Sequence, residues 1–407
     1  MDSTESPLPA ENRNMPSDTF RVWGVIGYLL FTALVTWTVF TLPLFIIMVS
    51  FSIFFLYMGC FFLLAYVEKQ PDKIPVLEKW PSVSMVIPAW NRGESLRKCL
   101  QHVTNMDYPG KWDITVVNDG STDQTREILN EFKGKIKVIH NERNIGKAMS
   151  LNKGAAASKG EFIAAIDGDS FPNPDTLKKL IPHFYRDDKI GAVTTIVRVH
   201  NRHHLLARIQ EVEYFLEFGL KNSVLHTLDS LYVTQGPFSV YRRSAFDKIG
   251  GYDAHNMTED MEITFHLHQA GYQIILEPFA QVFTDVPDTL NKLFRQRQRW
   301  ARGGWQTIYK YRGELFSKKK FFFRVFFPLR VVLDTGAIFF LLLAARMFSE
   351  YVMDVSRTLN AYTALSFETM VLPPLYLNSD LFLYLLIVGL TILMAVMGTR
   401  AAGAKMQ

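Results

Sequence analysis

Cysteine is nearly absent: Cys60 and Cys99 are the only two in 407 residues. One falls in an apolar run and the other in a mixed-charge segment, so no disulfide between them is expected. Charge imbalance is also slight. A net charge of +5 does not call for a nucleic-acid partner, and none is expected. Residues 1–21 lack the basic start of a cleaved signal peptide and read as an acidic tail. No long regulatory segment follows the motif-bearing part, so no cyclic-dinucleotide site is expected.

The most informative absence is of charge itself. Val22–Val67 contains no charged residue. A bilayer crossing takes ~20 apolar residues, so the run has room for two helices, with Thr41-Leu42-Pro43 between them. Leu381–Thr399 is a second charge-free stretch of spanning length. A weaker candidate covers 326–348. It carries Asp334 four residues after Arg330, a spacing that lets the two pair on one helix face. Either that acid faces protein or water, or the helix begins later. Ser349–Asp380 holds one basic residue, Arg357, whereas 68–330 holds most of the Lys and Arg. The bias puts the middle of the chain on the cytoplasmic side of a cell membrane, with four crossings. The expected order is a cytoplasmic tail (1–21), two spans (22–67), a cytoplasmic domain (78–286), amphipathic interface helices (287–325), a span (326–348), an extracytoplasmic loop (349–380), a span (381–399) and a cytoplasmic tail (400–407).

From Pro81 the texture changes. Val83–Trp90 reads as a buried strand and ESLRKCLQHV as a helix. Trp112–Asp119 is the next strand, STDQTREILNEF a helix, and IKVIHN a third strand. A helix near Lys147–Ser158 and the strand EFIAAIDGD follow. Alternating strands and helices predict an α/β fold with a mostly parallel, doubly wound sheet, whose ligands bind beyond the carboxyl ends of the strands. Asp119 ends one strand, and Asp167 and Asp169 end another. In extended chain, residues i and i+2 share a face, so Asp167 and Asp169 can reach one site. Paired carboxylates there suit Mg²⁺ or Mn²⁺ holding a diphosphate. Alone, DGD can equally be a solvated turn. Likewise NDGSTD can be a turn and helix cap, and TED (Thr258–Asp260) an ordinary helix start.

The set PAWN, NDGSTD, GKAMSLN, DGDSF, GPFSVYRR, TED and QRQRW, in that order, resembles the membrane-embedded family 2 glycosyltransferases. These include the bacterial poly-N-acetylglucosamine, cellulose, hyaluronan and chitin-type synthases. The likeness covers about Val83 to Gln306. It implies a GT-A fold inserted between transmembrane helices that conduct a growing polymer. It also implies roles. Pro88, Asn91 and Asp119 would lie near the uracil and ribose, and Lys147 near the donor. Asp167 and Asp169 would hold Mg²⁺ or Mn²⁺, Asp169 most directly. Asp260 would be the general base, with Glu259 orienting its loop. Gln296 and Arg299 of QxxRW would bind the diphosphate. Trp300, with Gly236 and Pro237 of GPFSVYRR, would serve the acceptor. The chain departs from the usual PAYNE motif: PAWNR has Trp90 for Tyr and Arg92 for Glu.

The stretches TEDMEITFHLHQAGYQI and VPDTLNKLFRQRQRWARGGW look most like the poly-β-1,6-N-acetylglucosamine synthases. The implied activity is inverting, processive transfer from a UDP-sugar, UDP-N-acetylglucosamine first, onto a growing polysaccharide that is exported. Hyaluronan- or cellulose-type synthesis with another UDP-sugar is one alternative, and addition of one sugar to a lipid acceptor another. Membrane lipids and an accessory subunit or further copies are the other partners implied. A non-catalytic basic membrane protein that binds nucleic acid or anionic lipid is the rival of a different class, but charge binding needs neither TED nor DGD. Within RQRQRWARGGW, Arg295, Arg297, Arg302 and Trp305 read as interface residues. Gly303 and Gly304 would permit either a close approach or a bend.

Overall fold

The computed structural model describes residues 74–318 and 320–364, with a few isolated positions between 26 and 59 and at 389 and 396. The first part of the domain alternates strand and helix: β1 (Val83–Ala89), α1 (Gly93–Thr104), β2 (Trp112–Asp119), α2 (Thr125–Glu131), β3 (Lys137–Asn141), α3 (Lys147–Ala156) and β4 (Phe162–Ile166). These agree with the sequence reading to within a few residues at each end. β1 has Val83, Met85 and Ile87 fully buried along with Val86 between them. A strand covered on both faces is apolar throughout rather than alternating, as VSMVI is.

Of the second part, only the helix opened by TED and the helices within 287–325 were read from the sequence. It contains β5 (Ser170–Pro172), α4 (Thr176–Leu180), β6 (Ile190–Val199), α5 (Leu205–Tyr214), α6 (Asn222–Thr227), β7 (Phe238–Arg242), α7 (Arg243–Lys248), α8 (Glu259–Gln269), β8 (Gln273–Thr284) and α9 (Leu290–Tyr311). All eight strands form one sheet in the order β3-β2-β1-β4-β7-β6-β8-β5. The expected parallel, doubly wound pattern holds for β3-β2-β1-β4. Beyond β4 it does not. β7 runs antiparallel to both β4 and β6, β5 runs antiparallel to β8, and β6 and β8 are parallel. The sheet is therefore mixed. The physical reason is that β7 pairs with β4 across a long excursion, matching Ile166 to Phe238, and no local pattern encodes such a partner.

This topology sets the site. β1 has β2 on one side and β4 on the other, so the chain order reverses there and a crevice opens at the carboxyl ends of β1 and β4. The segment entering β7 is brought to the same place, because β7 starts beside the end of β4. The Asp167 N–H donates to the Pro237 carbonyl across that junction at 3.3 Å.

Residues 310–364 belong to a second compact unit. Its main element is α10 (Phe327–Ala364), 38 residues long, or about 57 Å at 1.5 Å per residue. The Arg330–Asp334 pair expected from spacing forms at 2.7 Å, and Arg346 pairs with Glu350 in the same way. The span expected at 326–348 falls almost wholly inside α10. The helix runs on to Ala364, so the first half of the expected extracytoplasmic loop is helical. The unbroken run has no proline or glycine between Gly336 and Ala364 to stop it. Among the described residues no helix is long and apolar enough to cross a membrane. The expected spans at 22–67 and 381–399 lie, but for isolated positions, outside the described residues.

Candidate active site

Lys147 is the hub. It is the first residue of α3, and its Nζ lies 2.6 Å from Asp167 Oδ1 and 2.6 Å from Glu259 Oε1. One ammonium thus joins the DGD and TED motifs, which the chain separates by some ninety residues. Burial opposes its charge, yet the carboxylates of Asp167, Glu259 and Asp260 outweigh that and hold its pKa above the ordinary lysine value. Lys147, Asp167, Gly236, Glu259 and Asp260 line one pocket.

Asp119 puts Lys147 there. Its carboxylate is buried and accepts the N–H groups of Ile145 (2.8 Å) and Gly146 (2.9 Å) and the Asn141 amide (2.9 Å). Both oxygens are therefore engaged by the loop that launches α3, so its visible task is positional. Asn91 likewise uses its side chain locally. Its Oδ1 accepts the Thr122 N–H at 2.8 Å, and its N–H donates to Ser121 Oγ at 3.0 Å. These bonds tie the PAWN turn to NDGSTD. Pro88 sits within β1, with its carbonyl facing Gly168. A Cβ on Gly168 would stand 3.2 Å from that oxygen.

The acids at the pocket differ in state. Burial pushes the Asp260 carboxyl up to about 6, the Glu259 charge adds to this, and Lys147 and the Met261 N–H hold it back. Burial also raises Asp167, although Lys147 opposes it. Glu259 moves the other way. Burial works against its charge, but its bond to Lys147 and the charge of Arg299 win, so its pKa falls. Glu259 is thus a fixed anion, whereas Asp260 can gain and lose a proton near neutral pH. Adjacent carboxylates whose environments drive their pKa values apart are suited to different tasks.

Gly236 marks the space between the motifs. A Cβ there would lie 3.1 Å from Asp260 Oδ2, 3.4 Å from Lys147 Nζ and 3.5 Å from Asp167 Oδ2. Only a glycine leaves that point open to a ligand. Pro237 fixes the end of β4 through its carbonyl, and Thr234 ties the preceding loop to α8. The Thr234 hydroxyl donates to the Asp260 carbonyl at 3.1 Å, and its N–H donates to Thr264 Oγ1 at 2.7 Å.

Asp167 and Asp169 fit a divalent cation. Each presents a carboxylate, and each attracts a protein cation: Lys147 on Asp167, and Arg92 Nη1 on Asp169 Oδ2 at 2.7 Å. Among the described residues no cluster of three or more metal-binding side chains occurs. Two carboxylates can hold Mg²⁺ or Mn²⁺ together with phosphate and water.

The QxxRW residues lie on α9. Arg299 is exposed, and its charge reaches Glu259. Gln296 buries Oε1 without a protein partner, leaving an acceptor for a ligand N–H or hydroxyl. The Arg297 guanidinium lies 4.4 Å from the centre of the Trp300 ring and pairs with Glu213 at 2.7 Å. Arg297, expected at the interface, is placed to brace the tryptophan. The open choice at Gly303 is also decided. A Cβ there would stand 2.3 Å from Thr258 Oγ1, so the glycine permits a close approach of α9 to the residue before Glu259. Around it, Gln306 Oε1 accepts the Met257 N–H at 3.0 Å, and the Asn256 amide donates to Thr307 Oγ1 at 2.9 Å. Sequence reasoning missed Asn256, Gln306 and Thr307. Their only signal was their place just before TED and just after QxxRW.

The sequence of residues 81–303, more than half of the chain, matches the family described as glycosyltransferase like family 2. The chain belongs to this glycosyltransferase family. Among curated relatives, the poly-beta-1,6-N-acetyl-D-glucosamine synthase of Staphylococcus epidermidis is 33% identical over 228 residues, covering 56% of this chain and 55% of the relative. The synthase of the same name from Staphylococcus aureus (strain COL) is 30% identical over 256 residues, covering 62% and 60%. The chain therefore matches little more than half the length of these relatives. Among solved structures, a mannosyltransferase from Pyrobaculum calidifontis in complex with GDP-Man and Mn²⁺ aligns with a TM-score of 0.55 at 17% identity, covering 88% of this chain and 99% of that one. This likeness establishes the GT-A-like α/β glycosyltransferase fold.

Proposed function

We propose that this family 2 glycosyltransferase polymerises N-acetylglucosamine from UDP-N-acetylglucosamine into a β-linked polysaccharide. The observation that carries the chemistry is the convergence of Asp167, Lys147, Glu259 and Asp260 on Gly236. The choice of sugar is supported by the names of the curated relatives. The acceptor hydroxyl attacks the anomeric carbon while Asp260 takes its proton. The new C–O bond forms as the bond to the diphosphate oxygen breaks, UDP departs with the electron pair, and an α-linked donor yields a β-linked product.

A bound Mg²⁺ or Mn²⁺ would be held by Asp167 and Asp169 and would neutralise charge on the departing diphosphate. Arg299 is suited to bind the same phosphates through parallel N–H donors. Lys147 adds positive charge beside the leaving group and keeps Glu259 anionic, and Trp300 offers a ring face to the acceptor sugar.

The same reading has the protein in a cell membrane, with its catalytic domain cytoplasmic and its polymer exported. It is supported by the charge-free stretches 22–67 and 381–399. Further support comes from Leu290, Phe294, Trp305 and Tyr309, which form an exposed apolar stripe along α9. The deciding experiment offers the purified full chain a panel of UDP-sugars and digests the product with linkage-specific hydrolases. A long product from UDP-N-acetylglucosamine supports the proposal. Adducts of a single sugar, or turnover only with another donor, reject it.

A further inference from the structure

Arg92 has no part in the roles above, and it stands where the usual PAYNE motif has an acid. Its backbone is fixed. The Arg92 N–H donates to Thr125 Oγ1 at 3.3 Å, and its carbonyl accepts the N–H groups of Ser95 (3.0 Å) and Leu96 (3.4 Å) at the start of α1. Its side chain is not confined in the same way: it is 51% exposed, and its guanidinium reaches Asp169, which is 19% exposed.

The two acids of DGD therefore carry unequal cations. Lys147 is gripped by both Asp167 and Glu259. Arg92 holds one carboxylate and has half of its side chain in solvent. An ion pair of that kind contributes little, and a divalent cation can displace it. Once displaced, the guanidinium stays beside Asp169 because its backbone is anchored. A donor diphosphate bound at Asp169 then offers the partner that a guanidinium fork matches best.

We propose that Arg92 is a donor-binding residue that neutralises Asp169 in the donor-free protein and passes to the donor diphosphate when a divalent cation takes that carboxylate. The proposal rests on the reading of the donor as a nucleoside diphosphate sugar and of Asp169 as a metal ligand.

The test uses the full chain and Arg92→Gln, with Arg92→Lys as the conservative variant. Mn²⁺ affinity is measured by electron paramagnetic resonance without nucleotide, and UDP affinity by calorimetry at saturating Mn²⁺. Arg92→Gln is expected to bind Mn²⁺ about fivefold more tightly, since the competing pair is gone. It should bind UDP about tenfold more weakly, with Arg92→Lys between it and the wild type. An unchanged Mn²⁺ affinity or an unchanged UDP affinity in Arg92→Gln overturns the assignment. Wild-type protein that binds no UDP at all overturns the donor reading beneath it as well.

Discussion

Gly303 of α9 and Thr258, the residue before the paired acids, approach so closely that a methyl group on Gly303 would meet Thr258 Oγ1 at 2.3 Å. The QxxRW helix is thereby seated on the loop that presents Glu259 and Asp260, and Gln306 and Thr307 hold that loop from the same helix. Gly303→Ala must push the two apart. We expect kcat to fall by at least about tenfold, as misplacement of catalytic groups by an ångström does, with UDP affinity changed much less. Wild-type turnover in this variant would show that the contact is dispensable.

Asp260 should set the acid side of the pH profile. A base raised to about 6 is inactive while protonated. Log(kcat/KM) is then expected to rise with unit slope below about pH 6 and to level above it. Asp260→Asn should retain UDP binding and lose transfer by a factor on the order of 10³. A profile flat from pH 5 to 8 would remove Asp260 from this role.

The same shift bears on stability. The folded protein holds the Asp260 proton more tightly than the unfolded chain, so this group stabilises the fold below its unfolded pKa and that contribution is lost as pH rises through about 6. Asp260→Asn removes the cost of the buried charge. At pH 8 the variant should melt higher than wild type, by about 2–4 °C for each ~1 kcal/mol recovered. The gap should close towards pH 4. Equal melting temperatures at pH 8 would contradict this account.

Removing Lys147 leaves Asp167 and Glu259 facing each other without the ammonium they share. Lys147→Met keeps the length of the side chain and deletes the ammonium. The expected loss is about 2–3 kcal/mol, between the value of an exposed pair and that of a fully buried one. It is read by urea titration at pH 7.5. Lowering the pH should narrow the deficit as the two acids become neutral. A variant as stable as wild type at both pH values would mean that the bridge is idle.

Chelation tests the carboxylate pair. Excess EDTA should abolish sugar transfer, and Mg²⁺ or Mn²⁺ added beyond the chelator should restore it. Full turnover in excess chelator would refute the assignment of Asp167 and Asp169.

Several parts of this site are legible in sequence because they depend on local chain geometry. The apolar run of β1 and the Asp that ends β2 are visible by eye, as are the two acids after β4 and the acids opening α8. Each follows from strand alternation or helix spacing, and the order of motifs links them to the family. Asp119 shows the limit. The sequence places it at a strand end and the resemblance implies a nucleotide nearby; only the fold shows that both its oxygens hold the loop that aims Lys147. Arg297 is similar, since its partner Glu213 lies on another helix, α5.

The sequence by itself determined the parallel half of the sheet, the acids available for catalysis and the charge-free stretches at either end. These are properties of short windows, fixed by periodicity and composition. Only the tertiary structure decided that β7 returns antiparallel beside β4, that Lys147 joins DGD to TED, that Gly303 serves a close approach, and that Arg92 sits on Asp169. Each of these is a contact between residues distant in the chain. Its energy comes from burial and charge neutralisation that exist only once the sheet has closed around the crevice.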